Sequence, residues 1–180
     1  MSIAPPRILV ADDQADIRAA LELLLKAERF SVVCVDSPAA VLEALRTQSF
    51  DLLLMDLNYT RDTTTGREGL DLVARIEKMD DTLPIVAMTA WASIDLAVQV
   101  MRHGVRDFVQ KPWDNAKLVE TLSHQIRQGR QLRRVKRLTL CREKIAHLAQ
   151  KATDVADLLG SVARCLQEAL RNKSETTTHT

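Results

Sequence analysis

The chain has 180 residues, of which 46% are hydrophobic and 27% charged, and its formal net charge at neutral pH is +1. This length allows one domain of ordinary size with a modest extension, but not two full domains. No apolar run approaches the ~18 residues that a membrane span requires, and the N-terminus lacks the pattern of a secretion signal. Three unevenly spaced cysteines predict neither a disulfide framework nor a zinc site, and they favour a reducing, cytoplasmic location.

Charge is distributed unevenly along the chain. Residues 1–113 contain 12 Lys and Arg against 17 Asp and Glu, whereas residues 114–180 contain 13 against 7. This asymmetry predicts two parts with different partners. We expect an N-terminal tail at 1–6, a folded domain at 7–126, a basic, heptad-patterned helical extension at 127–172 and a disordered polar tail at 173–180.

The first part alternates short apolar runs with segments of helical periodicity. Near-continuous apolarity is typical of parallel strands that are covered on both faces, so the apolar runs are interpreted as strands. They are predicted at Ile8–Ala11, Ser31–Val35, Leu52–Met55, Ile85–Met88 and Asp107–Val109. The alternation predicts an α/β protein with an open parallel sheet and helices on both faces.

Five helices are predicted to follow the five strands. The second has the clearest start, because Ser37 provides an N-cap and Pro38 occupies the first helical position. The fourth follows Ser93 and is expected to stop at Gly104. The fifth leads into the extension.

The extension has apolar residues at alternating spacings of three and four. This heptad pattern predicts the seam of a coiled coil or helical bundle, and its continuity disfavours a helix-turn-helix. The seam positions are Leu138, Cys141, Ile145, Leu148, Ala152, Val155, Leu159, Val162, Leu166 and Ala169. We interpret Cys141 and the flanking Cys165 as small apolar interface residues rather than redox centres.

The start of the extension is strongly basic. Residues 127–144 contain eight Lys or Arg and one acidic residue. The favoured interpretation is a solvated helix face or a docking surface for the acidic first part. Binding of nucleic acid through phosphate contacts is the less favoured alternative.

Polar residues stand at the ends of four predicted strands. Asp12 and Asp13 follow the first, Asp56 the third, Thr89 the fourth and Lys111 the fifth. Parallel strands end at the same edge of a sheet, where ligands bind, so these residues are expected to converge. Three carboxylates in one crevice need a counter-charge, and Mg²⁺ with its oxygen ligands supplies one.

Taken singly, each of these residues has an ordinary structural explanation. Asp13 or Gln14 is a suitable N-cap for the first helix, Thr89 is compatible with a structural role, and Lys111 with a solvated surface position. Taken together, they suggest chemistry on phosphate. Asp56 would attack the phosphorus of a bound donor, while the metal ion, Lys111 and Thr89 stabilise the charge of the transferring group.

The pattern of DD after the first strand, D after the third, TA after the fourth and KP after the fifth resembles the receiver domains of bacterial two-component response regulators. The resemblance covers about residues 7–125. It implies a flavodoxin-like, doubly wound, five-stranded parallel sheet in the order 2-1-3-4-5. It also implies that Asp56 is the phosphoacceptor, and that Mg²⁺ binds to Asp12, Asp13, Asp56 and the backbone carbonyl of Asn58.

The resemblance assigns further roles beside the phosphate. Thr89 corresponds to the switch hydroxyl and Ala90 to the small residue that leaves space next to it. Phe108 corresponds to the switch aromatic, although a core aromatic at the sheet edge would explain the same residue, and Lys111 corresponds to the phosphate-binding lysine. The peptide bond before Pro112 is expected to be cis. From their positions beside the site, Trp91 and Trp113 are expected either to cover it or to pack against the domain, and packing is favoured for Trp113.

One segment departs from the common receiver pattern. The loop over residues 57–69 is long and polar, and it places Gly69 thirteen residues after Asp56. Such a loop is similar to those of receivers from sigma-54-dependent, nitrogen-regulator-class activators. Those proteins also carry an ATPase module and a helix-turn-helix, yet no G-x-x-x-x-G-K-[ST] motif is found here. The loop either modulates access to the crevice or is a tolerated surface insertion.

The sequence therefore predicts a response regulator that a sensor histidine kinase phosphorylates, with no enzymatic activity beyond its own phosphorylation and dephosphorylation. Homodimerisation is expected, either through the face formed by the fourth predicted helix, the fifth strand and the fifth helix, or through the C-terminal helices. The alternative is a DNA-binding transcriptional regulator that acts through the basic helices. A phosphatase is disfavoured, because Asn58 cannot serve as the general acid two residues past the nucleophile.

Overall fold

The computed structural model describes residues 4–57, 67–89, 101–151 and 155–171. Pro5–Arg130 form one compact unit, and the described residues from 131 to 171 belong to a second. The first unit contains a five-stranded parallel sheet in the order 2-1-3-4-5. The predicted fold class and strand order are thus confirmed. None of the described helices has the length and apolarity that crossing a membrane would require.

Strands and helices alternate from β1 to β4, and β5 and two helices follow in the described chain. The elements are β1 (Arg7–Ala11), α1 (Ala15–Ala27), β2 (Ser31–Val35), α2 (Pro38–Thr47), β3 (Leu52–Asp56), α3 (Arg67–Met79), β4 (Ile85–Thr89), β5 (Val105–Gln110), α4 (Asn115–Lys151) and α5 (Val155–Arg171). β3 and β4 extend one residue further than predicted, so Asp56 and Thr89 are the last residues of their strands. Most of the helix predicted after Ser93 lies outside the described residues.

Local sequence explains where several elements begin and end. The Ser37 hydroxyl accepts a hydrogen bond from the Ala40 N–H at 3.4 Å, and Pro38 is the first residue of α2, as predicted. Gly104, predicted as a helix stop, has a φ of +96°, which favours glycine.

The sheet is covered on both faces, because alternate residues of its central strands point in opposite directions. On one face, Leu53 and Met55 of β3 pack in a buried cluster with residues of α2 and α3. On the other face, Leu52 and Leu54 pack in a cluster with residues of α1 and the first part of α4. The two clusters hold the carboxyl ends of β1, β3 and β4 at one edge.

The second unit differs from a single continuous helix. α4 ends at Lys151 and α5 begins at Val155, although the heptad pattern continues between them. Thr153 and Asp154 stand just before α5 in the sequence, and both are residue types favoured before a helix start. The seam is only partly buried: Cys141 is 7% exposed, whereas Leu138 is 58% and Leu159 is 64% exposed.

Candidate functional site

The acidic residues meet where β1 and β3 end side by side. Ala11, the last residue of β1, is in register with Met55, so Asp12 and Asp13 emerge beside Asp56. Asp12 is fully buried and Asp56 is 4% exposed. Burial of ionised carboxylates is costly unless a partner charge is close. The sequence folds in this way because the apolar residues of both strands enter the core and draw the polar residues after them to its edge.

Lys111 supplies a partner charge from β5. It follows the last residue of that strand, and its backbone N–H donates to the Thr89 carbonyl oxygen at 2.8 Å. Its Nζ lies 2.7 Å from Asp12 Oδ2 and 2.7 Å from Asp56 Oδ2. Burial alone would lower the pKa of Lys111, but the hydrogen bonds and negative charges of the two carboxylates raise it overall. The ammonium therefore stays charged between two carboxylates distant in sequence.

A third carboxylate completes the cluster. Asp12, Asp13 and Asp56 each offer an oxygen, and these oxygens all lie within 4.8 Å of one another. Both oxygens of Asp12 accept a hydrogen bond, Oδ1 from the Gln14 N–H at 2.9 Å and Oδ2 from Lys111. Asp13 Oδ1 is buried and finds no hydrogen-bond partner among the described residues.

The hydrogen bonding around Asp13 does not match that of a helix cap. The N-cap position of α1 is Gln14, whose side chain makes no capping bond within the described structure. Asp13 does not act as the cap either, since its buried oxygen accepts nothing there. Three converging carboxylates with one unsatisfied oxygen fit a hard cation with oxygen ligands, such as Mg²⁺.

One contact at the site was missed by the sequence interpretation. The Arg18 guanidinium, on α1, donates a hydrogen bond to the Asp12 backbone carbonyl at 2.7 Å. This bond helps to hold the loop between β1 and α1. The only sequence signal for it is an arginine near the start of α1, a placement too common to single it out.

The remaining predicted residues lie around the cluster. Thr89 ends β4 at the same edge and is 4% exposed, whereas Phe108 on β5 is 38% exposed. The peptide bond between Lys111 and Pro112 is cis. Trp113 is partly buried against the cluster of α1 and α4, which confirms the expected packing. Asn58, Ala90, Trp91 and residues 58–66 of the loop lie outside the described residues.

Gly69, at the end of that loop, has a steric role. A Cβ atom at this position would lie 2.8 Å from the Leu57 carbonyl oxygen and 3.2 Å from its Cα. Leu57 directly follows Asp56, so a side chain here would push against the backbone that carries the candidate phosphoacceptor. Glycine permits this close approach of α3 to the site.

The family assignment follows from comparison with known proteins. A model described as the response regulator receiver domain matches residues 8–123. The chain belongs to this family. The acidic cluster and the bridging Lys111 therefore lie in a receiver domain.

Individual relatives agree with this assignment. The chain is 33% identical over 122 residues to the transcriptional regulatory protein FixJ of Bradyrhizobium diazoefficiens. The match covers 68% of this chain and 57% of FixJ. It is 34% identical over 107 residues to the DNA-binding transcriptional regulator NtrC of Escherichia coli, covering 59% of this chain and 22% of NtrC. The likeness to NtrC confirms the predicted resemblance to nitrogen-regulator receivers. In both cases the chain spans less than two thirds of the relative.

A solved structure shows the same fold. The N-terminal receiver domain of a two-component response regulator from Bacteroides fragilis is similar with a TM-score of 0.60 and 38% identity. The match covers 68% of this chain and 97% of that one. The similarity is thus to an entire receiver domain.

Proposed function

We propose that this receiver accepts a phosphoryl group on Asp56 from a sensor histidine kinase and thereby switches an output surface. The observation that carries the proposal is the placement of Lys111 Nζ 2.7 Å from both Asp12 and Asp56, beside the orphaned oxygen of Asp13. A positive charge held at a buried carboxylate is suited to the equatorial oxygens of a transferring phosphoryl group. We also propose that the protein turns over no other substrate. We propose that it is located in the cytoplasm.

In the proposed reaction, a carboxylate oxygen of Asp56 forms a bond to phosphorus as the bond between phosphorus and the kinase histidine nitrogen breaks. The Lys111 ammonium then exchanges its contact with the Asp56 carboxylate for one with the phosphoryl oxygens. Thr89, at the same sheet edge, would donate its hydroxyl proton to another oxygen, and Ala90 would leave space there. The charged groups that would stabilise the transferring phosphoryl group are thus already positioned before the reaction begins.

The carboxylates of Asp12, Asp13 and Asp56 would hold Mg²⁺, and the Asn58 backbone carbonyl is the further ligand that we propose. The ion would neutralise charge on the acidic cluster and on the transferring group. The orphaned Asp13 oxygen supports this assignment. Lys111 also neutralises part of the negative charge of the acidic cluster. Removal of the ion would therefore leave the protein folded but would prevent the phosphorylation reaction.

Phosphorylation would act as a switch by changing the partners of two side chains. The new oxygens would draw Thr89 and Lys111 inward, and Phe108, now 38% exposed on β5, would follow. The face that includes β5 and the helices beside it would have two conformations, and phosphorylation would change their relative populations. We propose a homodimer as the result, formed through this face or through the C-terminal helices.

The test uses the full chain with Mg²⁺ and acetyl phosphate as a small phosphodonor. Intact mass spectrometry should show one added phosphoryl group that hydroxylamine removes. Asp56→Asn should abolish the adduct, whereas Asp71→Asn, on the exposed side of α3, should retain it. Failure of the wild type to gain the group, or its persistence in Asp56→Asn, would overturn the proposal.

DNA binding is a second candidate for the output. Several basic side chains of α4, among them Arg134, Arg142 and Lys144, are exposed. Binding through phosphate contacts would weaken steeply as salt concentration rises. A fluorescence anisotropy titration of a labelled duplex at several salt concentrations tests this candidate, and no affinity at low salt would reject it.

A further inference from the structure

Two thiols meet in the second unit, outside the phosphorylation site. The Sγ atoms of Cys141 on α4 and Cys165 on α5 lie 3.5 Å apart, and both residues are buried thiols that are not joined by a disulfide. Each Sγ also lies 3.9 Å from the backbone carbonyl oxygen of the other cysteine. The reciprocal contacts bring the two helix backbones close together at this point.

The two cysteines occupy matching positions about the break between the helices. Cys141 lies ten residues before Lys151, where α4 ends, and Cys165 lies ten residues after Val155, where α5 begins. Because every helical residue advances the chain by the same rise, equal distances from a break place two residues opposite each other in an antiparallel hairpin. The thiol contact is therefore a property of the hairpin itself.

The two cysteines are more deeply buried than larger apolar residues of the same helices. Cys141 is 7% and Cys165 is 8% exposed, while the nearby seam residues Leu138 and Leu159 are 58% and 64% exposed. Packing driven by apolar area alone would bury the leucines first. The interpretation of both cysteines as small apolar residues accounts for their burial but not for a pair of thiols in contact.

We infer that Cys141 and Cys165 are a redox modification site, at which a peroxide forms a reversible disulfide that closes the α4–α5 hairpin. A bonded pair needs its sulfurs ~2.05 Å apart, so the atoms must approach by about 1.5 Å, which side-chain rotation and a small helix displacement supply. The modification would give the chain an input separate from phosphorylation of Asp56.

The chemistry balances with a peroxide as the oxidant. One thiolate attacks a peroxide oxygen, the O–O bond breaks, and a sulfenic acid and the first water form when hydrogen peroxide is used. The second thiol then attacks the sulfenic sulfur, the S–O bond breaks, and a second water leaves as the S–S bond forms. Two thiols lose two electrons to one peroxide. A dithiol reductant reverses the change by thiol–disulfide exchange.

The bond would restrict the unit that contains it. It would link residues 24 positions apart and remove every state in which α5 separates from this part of α4. Local opening of the hairpin, and with it amide hydrogen exchange over both helices, should slow on the order of tenfold or more. Exposed seam residues such as Leu159 would then be presented by a fixed hairpin.

The experiment uses the full chain carrying Cys34→Ser, so that the pair provides the only thiols. Native protein is treated with a slight excess of hydrogen peroxide, quenched with an alkylating agent and digested without reductant. Mass spectrometry should find a peptide containing Cys141 bonded to one containing Cys165, with all protein still monomeric on a denaturing, non-reducing gel. Dithiothreitol should restore both thiols, and hydrogen exchange should slow over residues 141–165.

Matched variants keep the result interpretable. Cys141→Ala and Cys165→Ala, in the same background, should each lose both the linked peptide and the slowing of hydrogen exchange. If the native pair stays reduced while the urea-unfolded chain oxidises, the inference is wrong. A disulfide that links two chains, or one that leaves hydrogen exchange unchanged, would also overturn it.

Discussion

Asp13 gives the clearest residue-scale prediction, because its negative charge should lower the stability of the metal-free fold but raise the affinity for the proposed metal ion. Its buried Oδ1 lacks a partner within the described residues and lies beside two other carboxylates. Asp13→Asn should therefore raise the free energy of unfolding by about 1 kcal/mol in metal-free buffer, because it removes one of three repelling charges. The same change should lower the affinity for Mg²⁺. Urea denaturation with a chelator and a magnesium titration measure the two effects.

An exposed carboxylate serves as the control for Asp13. Asp71 lies on the exposed side of α3, and Asp71→Asn should change neither quantity measurably. Added Mg²⁺ should stabilise the wild type more than Asp13→Asn, because a ligand that binds only the folded state adds to its stability. Equal stabilisation of both by the ion, or a loss of stability in metal-free Asp13→Asn, would contradict the assignment.

Cys34 offers a second residue-scale test through its pKa. Burial is the main cause that raises the pKa of this thiol above 9.0, and the nearby Glu22 charge adds to it. The folded protein should hold Cys34 protonated at a pH where the unfolded chain has begun to ionise. The stabilising preference for the neutral thiol is present below pH 9.0 and is lost as the pH rises through the raised folded value. Rates of iodoacetamide labelling from pH 7.5 to 10, in folded and urea-unfolded protein, should show the displacement; coinciding pH profiles would refute it.

Sequence predicted which residue types gather at the site but not how they are bonded. Asp12, Asp56 and Lys111 could be placed together because parallel strands end at one edge of the sheet. The Arg18 bond to the Asp12 carbonyl could not, because it depends on the angle at which α1 leaves β1. The orphaned oxygen of Asp13 was equally out of reach, since it is defined by the absence of a donor in the described surroundings rather than by a motif.

At the scale of elements, α4 is held close to the loop before β4. A Cβ atom on Gly129 would lie 2.7 Å from Pro84 Cδ and 2.9 Å from its Cγ. Alanine in a helix is favoured over glycine by ~1 kcal/mol, but a rigid proline ring cannot move aside, and overpacking costs about 1–3 kcal/mol. Gly129→Ala should thus lower the free energy of unfolding, measured by urea denaturation with tryptophan fluorescence.

Gly160 is the matched control for this substitution. It lies within α5, and an added Cβ would meet only an Arg164 nitrogen at 3.7 Å among the described atoms. Gly160→Ala should therefore strengthen the helix by up to about 1 kcal/mol, visible as slower local hydrogen exchange. Equal effects of the two substitutions would mean that the approach to Pro84 does not limit α4.

Element boundaries show where apolar periodicity is sufficient and where it is not. The strands were predicted within two residues, because four of them are short, mostly apolar runs. The largest difference is at β5, whose sequence VRDFVQ mixes polar and apolar residues. The break between Lys151 and Val155 was not predicted, since the heptad spacing runs through it unchanged. Periodicity reports which residues share a helix face, but a change of chain direction leaves the spacing on either side intact.

At the scale of the whole molecule, the proposed self-association through the extension predicts a role for the exposed leucines of the second unit. Leu138 and Leu159 are more than half exposed, and large apolar side chains in such positions are typical of contact surfaces. In a symmetric dimer each substitution occurs twice, and each buried leucine contributes about 1.5–3 kcal/mol. Leu159→Gln should accordingly raise the dimer dissociation constant more than about tenfold.

Light scattering over a concentration series measures this association, with and without a phosphate mimic such as beryllofluoride. Leu23 on α1 is 76% exposed and provides the control in the first unit. Leu23→Gln should leave the dissociation constant unchanged, and beryllofluoride should lower that of the wild type but not that of Asp56→Asn. The opposite ranking of the two leucines would place the contact in the receiver rather than in its extension. Association through the receiver would then be independent of the seam of the helical hairpin. Phosphorylation and the hairpin would accordingly act through separate surfaces.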